Sequence, residues 1–192
     1  MLVGDDRPWA KKMVESVREH HPGIRIVQMS DEHTAPIVDE VIRKPYGGRI
    51  MTFRLDHLAE YPHEQMLVLD DDCIVRGDLA HVFGAFDIAL TRRTDPAIYD
   101  GIDMAQHCPY NTGVMFSRSQ NFWKVAASVC RALPDRFQRW WGDQMAVAVT
   151  AQKAGYKVRE LDASIYNWTP KTADDSSDAL VWHYKGLRKE WI

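Results

Sequence analysis

The sequence predicts a single α/β domain with a mostly parallel central sheet flanked by helices. Short apolar runs alternate along the chain with longer amphipathic stretches of helical period, the pattern of strand–helix units. Met66-Leu67-Val68-Leu69 is a continuous apolar run bounded by polar residues, as in a strand buried on both faces. A chain of 192 residues with 45% apolar content supports one real core. No repeat, linker or low-complexity tract divides it.

Leu2-Val3-Gly4 reads as a short first strand ending at Asp5-Asp6. Asp6 can cap the helix that follows, and Pro8 suits its first turn. Trp9, Met13 and Val17 recur at helical spacing and predict its buried stripe. His21-Pro22-Gly23 ends it. Residues 24 to 29 read as a strand, and residues 30 to 48, broken by Pro36, Pro45 and Gly47-Gly48, as a loop. Residues 50 to 60 predict a helix stopped near Pro62. After the Met66 run, Gly77-Asp78 leads into a short helix through Phe83. Residues 87 to 91 predict a strand, and 92 to 109 a polar, irregular stretch. A strand over 112 to 117 precedes helices over 120 to 133 and 142 to 154. Strands over 156 to 161 and 180 to 184 close the pattern, with a polar loop over 171 to 178 between them.

The chemistry is concentrated after Leu69. Three carboxylates, Asp70-Asp71-Asp72, stand at the end of a buried strand, where open α/β sheets bind ligands. Clustered carboxylates repel one another and are costly to desolvate, so a divalent cation is the economical partner. An extended backbone points Asp70 and Asp72 to one face and Asp71 to the other. Near the C-terminus, His183, Gly186, Lys189 and Trp191 fit the pattern His-x-x-Gly-x-x-Lys-x-Trp. A histidine just past an apolar strand can supply an imidazole to the same cation. Gly186 lets a backbone amide approach a phosphate, and Lys189 brings a mobile positive charge to a diphosphate.

With these motifs, the chain resembles the glycosyltransferases of family 8, the glycogenin and lipopolysaccharide galactosyltransferase type. The resemblance is strongest from Thr52 onward and implies a GT-A, Rossmann-like fold. It implies Asp70, Asp72 and His183 as metal ligands, and Gly186 and Lys189 as diphosphate contacts. Asn111-Thr112-Gly113 matches the family's strand start that holds the donor sugar, through Asn111 and Gly113. Asp143-Gln144 matches its catalytic pair near the reacting carbon. Arg54 matches its helix arginine, while Asp5, at the end of the first strand, and Asp71 complete the donor-binding set. Glu190 stands where the family usually has proline before the tryptophan.

The implied reaction is transfer of a sugar from a nucleotide-diphosphate sugar, a UDP-sugar, to an acceptor hydroxyl with retention. Two carboxylates and an imidazole suit Mn²⁺ better than Mg²⁺, which prefers all-oxygen shells. The acceptor stays open among a glycan, a lipid headgroup, a protein and a modified nucleic-acid base. Trp140-Trp141 could form an acceptor platform or simply fill the core. Two alternatives stand beside the transferase. One is a phosphohydrolase of the haloacid dehalogenase type using Asp70, although Cys73-Ile74-Val75 departs from that family's continuation. The other is a non-catalytic sugar-nucleotide binder. An EF-hand loop fits poorly, because Ile74 takes a ligand position.

Net charge of −3 argues against a strongly electrostatic nucleic-acid binder. The three cysteines have neither CxxC nor zinc spacing. Their odd number, with no secretory signal, predicts a reducing, cytoplasmic setting. No apolar run approaches the roughly 20 residues of a membrane span.

Overall fold

A computed structural model describes residues 1–4, 7–94, 96–153 and 155–192. Asp5 and Asp6, named above for donor binding and helix capping, lie outside the described residues. In chain order the elements are α1 (Pro8–His20), β1 (Val27–Ser30), β2 (Glu40–Arg43), α2 (Ile50–Glu60), β3 (Met66–Leu69), β4 (Cys73–Val75), β5 (Ile88–Arg92), β6 (Ile98–Tyr99), β7 (Ile102–Asp103) and α3 (Met104–His107). There follow β8 (Tyr110–Ser117), α4 (Gln120–Ala132), α5 (Asp135–Arg139), α6 (Gly142–Ala151), β9 (Val158–Leu161), α7 (Ala163–Tyr166) and β10 (Val181–His183). Short 3₁₀ helices span Ala80–Val82 and Gly186–Trp191.

The α/β class holds, but the central sheet is mixed rather than mostly parallel. Its order is β3-β8-β5-β9. β8 runs antiparallel to both neighbours, and only β9 is parallel to β5. The reason lies in residues 93–109, which carry the small β6–β7 hairpin and the single turn α3 instead of a crossover helix. A parallel return requires a crossover, and an antiparallel one does not. Side chains of β8 alternate between two cores, as the period of a strand requires. Met115 packs with Leu55, Phe122, Trp123 and Val147 of α2, α4 and α6, whereas Val114 and Phe116 meet Val75, Leu79 and Val181.

Two smaller sheets flank this one: β1 with β2, parallel, and β4 with β10, antiparallel. β2 lies inside the stretch read as loop, where Pro36 and Gly47-Gly48 obscured the pattern Glu40-Val41-Ile42-Arg43. The expected first strand is reduced to one parallel bridge, Leu2 to Ser30. α1 is turned relative to its predicted stripe. It buries Ala10, Val14, Ser16 and Val17, while Trp9 and Met13 are only half-buried. Cys73, Cys108 and Cys130 are buried and unbridged. Among the described residues, no helix is long and apolar enough to cross a membrane.

Candidate functional site

The acidic run is not an extended strand end. The N–H of Cys73 donates to the carbonyl of Asp70 at 3.2 Å, so Asp70–Cys73 form a tight turn between β3 and β4. The premise of alternation therefore fails, although the turn still separates the three carboxylates. Asp71 turns toward α1, where its Oδ2 accepts from Arg7 Nη1 at 2.7 Å. Asp70 and Asp72 turn the other way, toward His183.

Strand pairing brings His183 there. β10 lies against β4 with His183 opposite Cys73, and the N–H of Tyr184 donates to the carbonyl of Asp72 at 2.9 Å. His183 is 3% exposed. Its Nε2 stands 3.1 Å from Asp72 Oδ1 and 3.8 Å from Asp70 Oδ2. The remaining oxygen of Asp72 is 3.0 Å from Lys189 Nζ, carried by the 3₁₀ turn that Gly186 begins at a φ of 66°. That φ is left-handed and favours glycine.

A chain of hydrogen bonds sets the tautomer of His183. The backbone N–H of Gly113 donates to Asn111 Oδ1 at 2.9 Å, which identifies that atom as oxygen. Asn167 Nδ2 lies 2.9 Å from the same oxygen and 2.7 Å from Thr91 Oγ1, so it is the donor. Asn167 Oδ1 is then an acceptor, 2.8 Å from His183 Nδ1. That acceptor fixes a proton on Nδ1, so in the neutral tautomer the lone pair of Nε2 faces the two aspartates. This is the tautomer and second-sphere support of a metal-ligating histidine. Gly113 is part of the same packing. A Cβ there would stand 2.1 Å from His183 Cε1 and 2.5 Å from Nδ1, so only glycine lets the ring lie flat on β8.

The donor set fits a divalent cation. Nε2 and the buried Asp72 Oδ1 are both acceptors facing each other, and Asp72 Oδ1 has no hydrogen-bond donor of its own. Two atoms each about 2.1 Å from a shared ion, at a right angle, would be about 3.0 Å apart. Cys73 Sγ also lies within 4.8 Å of ligand atoms of Asp72 and His183. Burial pushes its thiol well above the usual range, and Sγ donates to the Gly113 carbonyl at 3.5 Å; coordination to a cation would require loss of that proton.

Behind the turn lies a second network. Arg54, 8% exposed, projects from α2 and reaches Asp70 Oδ1 at 2.8 Å, Asp143 Oδ2 at 2.9 Å and the Thr112 carbonyl at 2.8 Å. Burial opposes its charge, and Asp70 and Asp143 more than offset that opposition. Thr112 Oγ1 also donates to Asp143 Oδ2, and the N–H of Gln144 to Oδ1. The Asp143 carboxylate, 2% exposed, is thus spent on protein partners. Gln144 Oε1 accepts from Arg93. Burial raises the pKa of Asp70 despite Arg54. Burial also acts to raise that of Asp72, but the Lys189 ammonium, together with His183 when its Nε2 carries a proton, prevails and holds it near 2.

The structure therefore gathers Asp70, Asp72, His183 and Lys189 in one cluster, and Arg54 and Asp143 in a network joined to it through Asp70. Asn111 and Gly113 lie beneath the His183 ring, Asp71 sits apart with Arg7, and Gly186 is exposed at the rim. Sequence reading missed Asn167, which orients His183, and Thr91, which anchors Asn167. Thr91 sits where β5 changes register against β8, a bulge of the kind found beside functional sites. Neither residue carries a periodic or motif signal. Of the aromatic pair, Trp140 is exposed, while Trp141 is half-buried at a left-handed φ of 71° with Arg93 over its ring.

No protein-family model and no curated protein sequence matches the chain. Solved structures do. The galactosyltransferase LgtC in complex with donor and acceptor sugar analogues is 16% identical, with a TM-score of 0.56 over 96% of this chain and 86% of its own. The apo form of the glycosyltransferase GlyE of Streptococcus pneumoniae TIGR4 is 15% identical, with a TM-score of 0.63 over 98% of this chain and 57% of its own. This chain thus spans little more than half the length of GlyE. The fold is that of these glycosyltransferases.

Proposed function

We propose that the protein is a metal-assisted glycosyltransferase that moves a sugar from a UDP-sugar to an acceptor hydroxyl with retention, as family 8 enzymes do. The observation that carries this reading is the imidazole of His183, locked by Asn167 with its Nε2 lone pair toward Asp70 and Asp72. Asp70, Asp72 and His183 would hold Mn²⁺ or Mg²⁺. The cation would supply Lewis-acid stabilisation of the charge that develops on the leaving diphosphate.

The other residues divide the remaining work. Lys189, resting on Asp72, would turn to the diphosphate and add a charge-assisted contact, with the Gly186 amide beside it. Arg54, braced by Asp143, would hold the Asp70 carboxylate in place and face the donor sugar, which fixes orientation at the reacting carbon. With both oxygens of Asp143 engaged, its contribution is to position Arg54 and the start of α6. Gln144 is the nearest side chain of the catalytic pair that could turn toward the sugar, by releasing Arg93. Asn111 and Gly113 would support His183 and the sugar-binding edge of β8. Asp71 would act on the donor side through its pair with Arg7.

Calorimetric titration of UDP-sugars with Mn²⁺ and with chelator tests the reading. Binding that needs the metal and is lost in Asp72→Asn and in His183→Ala is the expected result, and the anomer of the product then reports retention. Phosphate release from small phosphomonoesters without any nucleotide-sugar binding would replace the transferase by a hydrolase. Metal-dependent binding without transfer or slow hydrolysis would leave a sugar-nucleotide-binding protein.

A further inference from the structure

Gln144 lies in the first turn of α6, with its backbone N–H on Asp143 Oδ1 at 2.8 Å. Its side chain ends on Arg93, the residue directly after β5, whose Nη2 donates to Gln144 Oε1. A guanidinium carries donors only, so this contact identifies the held end of the amide as its carbonyl oxygen. The end left over is Nε2 with its two N–H groups, and among the described residues none accepts from it.

Arg93 is itself fixed from three directions. Its Nε donates to the Cys108 carbonyl at 3.0 Å, and its backbone N–H to the Pro109 carbonyl at 2.8 Å. Its guanidinium carbon stands 4.9 Å from the centre of the Trp141 ring, within cation–π range. Trp141 caps α6 at a φ of 71°, a left-handed conformation that is costly for an aromatic residue and is retained where the surroundings over-determine it. Residues 93–109 thus do more than set the direction of β8. They return Cys108 and Pro109 beside Arg93 and aim its guanidinium at α6. The amide of Gln144 is pinned at both ends, by Asp143 at its backbone and by Arg93 at its tip. Asp143 in turn holds Arg54, and Arg54 holds Asp70, so the amide is tied to a carboxylate of the candidate metal site.

Gln144 can meet the substrates by leaving Arg93 or by using the end of the amide that Arg93 leaves over. Leaving breaks a charge-assisted hydrogen bond, whereas using Nε2 breaks nothing. We propose that Arg93 is a positioning residue: it holds Gln144 by its oxygen, so that the amide meets the substrates as a hydrogen-bond donor. This rests on the transferase reading above. It removes Gln144 as a nucleophile toward the reacting carbon, because the nucleophilic atom of an amide is its oxygen and that oxygen already accepts from a cation. The two N–H groups donate to hydroxyl oxygens of the donor sugar and fix its orientation.

Side-chain amide NMR of the whole chain tests the lock without any turnover. The Gln144 amide, assigned by its loss in Gln144→Leu, is expected to be as ordered as the backbone, and its order parameter to fall below about 0.6 in Arg93→Leu. The amide of Gln138, bonded to Thr52 and to the Leu133 carbonyl, is expected to stay unchanged, which separates the lock from a general loss of structure. UDP-galactose or UDP-glucose with Mg²⁺ is expected to shift the Gln144 signals of the native chain, and UDP with Mg²⁺ to leave them in place. In transfer assays Arg93→Leu is expected to lower kcat about 10–100-fold, Arg93→Lys to regain part of the loss, and Arg93→Leu to add nothing further in a Gln144→Leu background. A Gln144 amide equally ordered with and without Arg93 would overturn the proposal, as would additive losses in the double variant. Mobilisation of the amide on sugar binding would replace the lock by a release. An intact lock in a native chain that binds no nucleotide sugar would instead remove the transferase reading on which its role rests.

Discussion

Replacing Gly113 by alanine isolates the packing that holds His183. The φ of Gly113 is not in the left-handed region, so the new methyl strains no backbone dihedral and acts through contact alone. It would stand 2.1 Å from His183 Cε1, and ordinary contact begins at 3.4 Å. The ring must therefore retreat by about 1.3 Å, the difference between these distances. It cannot do so freely, because it is buried and its Nδ1 is held at 2.8 Å by Asn167. A shift of that size breaks the bond to Asn167, at a cost of about 1–3 kcal/mol for the buried groups left unpaired. Overpacking adds a comparable amount. The expected destabilisation is about 2–6 kcal/mol, which for a chain of this size lowers Tm by about 4–24 °C. Calorimetric unfolding measures the stability, and titration with Mn²⁺ and UDP-sugar measures the loss of metal-dependent binding. Gly47→Ala, where an added methyl would meet nothing within 4 Å and the φ is not positive, is the control and is expected to be neutral. A Gly113→Ala protein with unchanged Tm and unchanged binding would refute the tautomer and packing argument together.

Asn167→Leu removes the acceptor for His183 Nδ1 and the donor to Thr91 and Asn111. Metal affinity is expected to fall about 10–100-fold, as for other lost partners of metal-bound histidines, read from a Mn²⁺ binding isotherm. Arg54→Leu leaves the Asp143 carboxylate buried with no cation beside it, and urea unfolding should register a loss of about 3–5 kcal/mol. His57 of α2 is 1% exposed with neither ring nitrogen hydrogen-bonded, and burial lowers its pKa to about 4. Between about pH 6.5 and 4 the unfolded chain binds the proton that folded His57 rejects, so stability falls as pH falls through that window. The full loss is about 3 kcal/mol for this group. His57→Phe is expected to flatten the urea midpoint against pH there, and an unchanged slope would assign the acid sensitivity to other groups.

Much of this molecule is local and could be read from the chain. The α2 helix runs over Ile50–Glu60 as its apolar spacing and Pro62 require. Met66–Leu69 is a strand, and an acidic turn follows it. The His-x-x-Gly-x-x-Lys spacing placed the imidazole and the ammonium near one another, and both meet Asp72 in the structure. The errors are informative in the same terms. β2 hid in a Pro- and Gly-rich stretch because four residues are too few for a period to declare itself. In α1 the buried stripe is turned by about one residue from the expected one: Val17 is buried as the spacing predicts, while Ala10 and Val14 are buried more deeply than Trp9 and Met13.

Residue type and spacing by themselves determined the α/β class, most element positions and the carboxylate–imidazole–ammonium set, because these depend on neighbours within a few positions or on motif spacing. Strand direction, the tautomer of His183 and the engagement of Asp143 were decided only by the tertiary structure. β8 is antiparallel because residues 93–109 form a hairpin and a turn instead of a crossover helix. His183 is oriented by Asn111, Asn167 and Thr91, which three separate segments bring together. Hydrogen bonds between residues 16 to 89 positions apart leave no periodic trace along a chain, since each partner's identity is set by the fold around it and not by its neighbours in sequence.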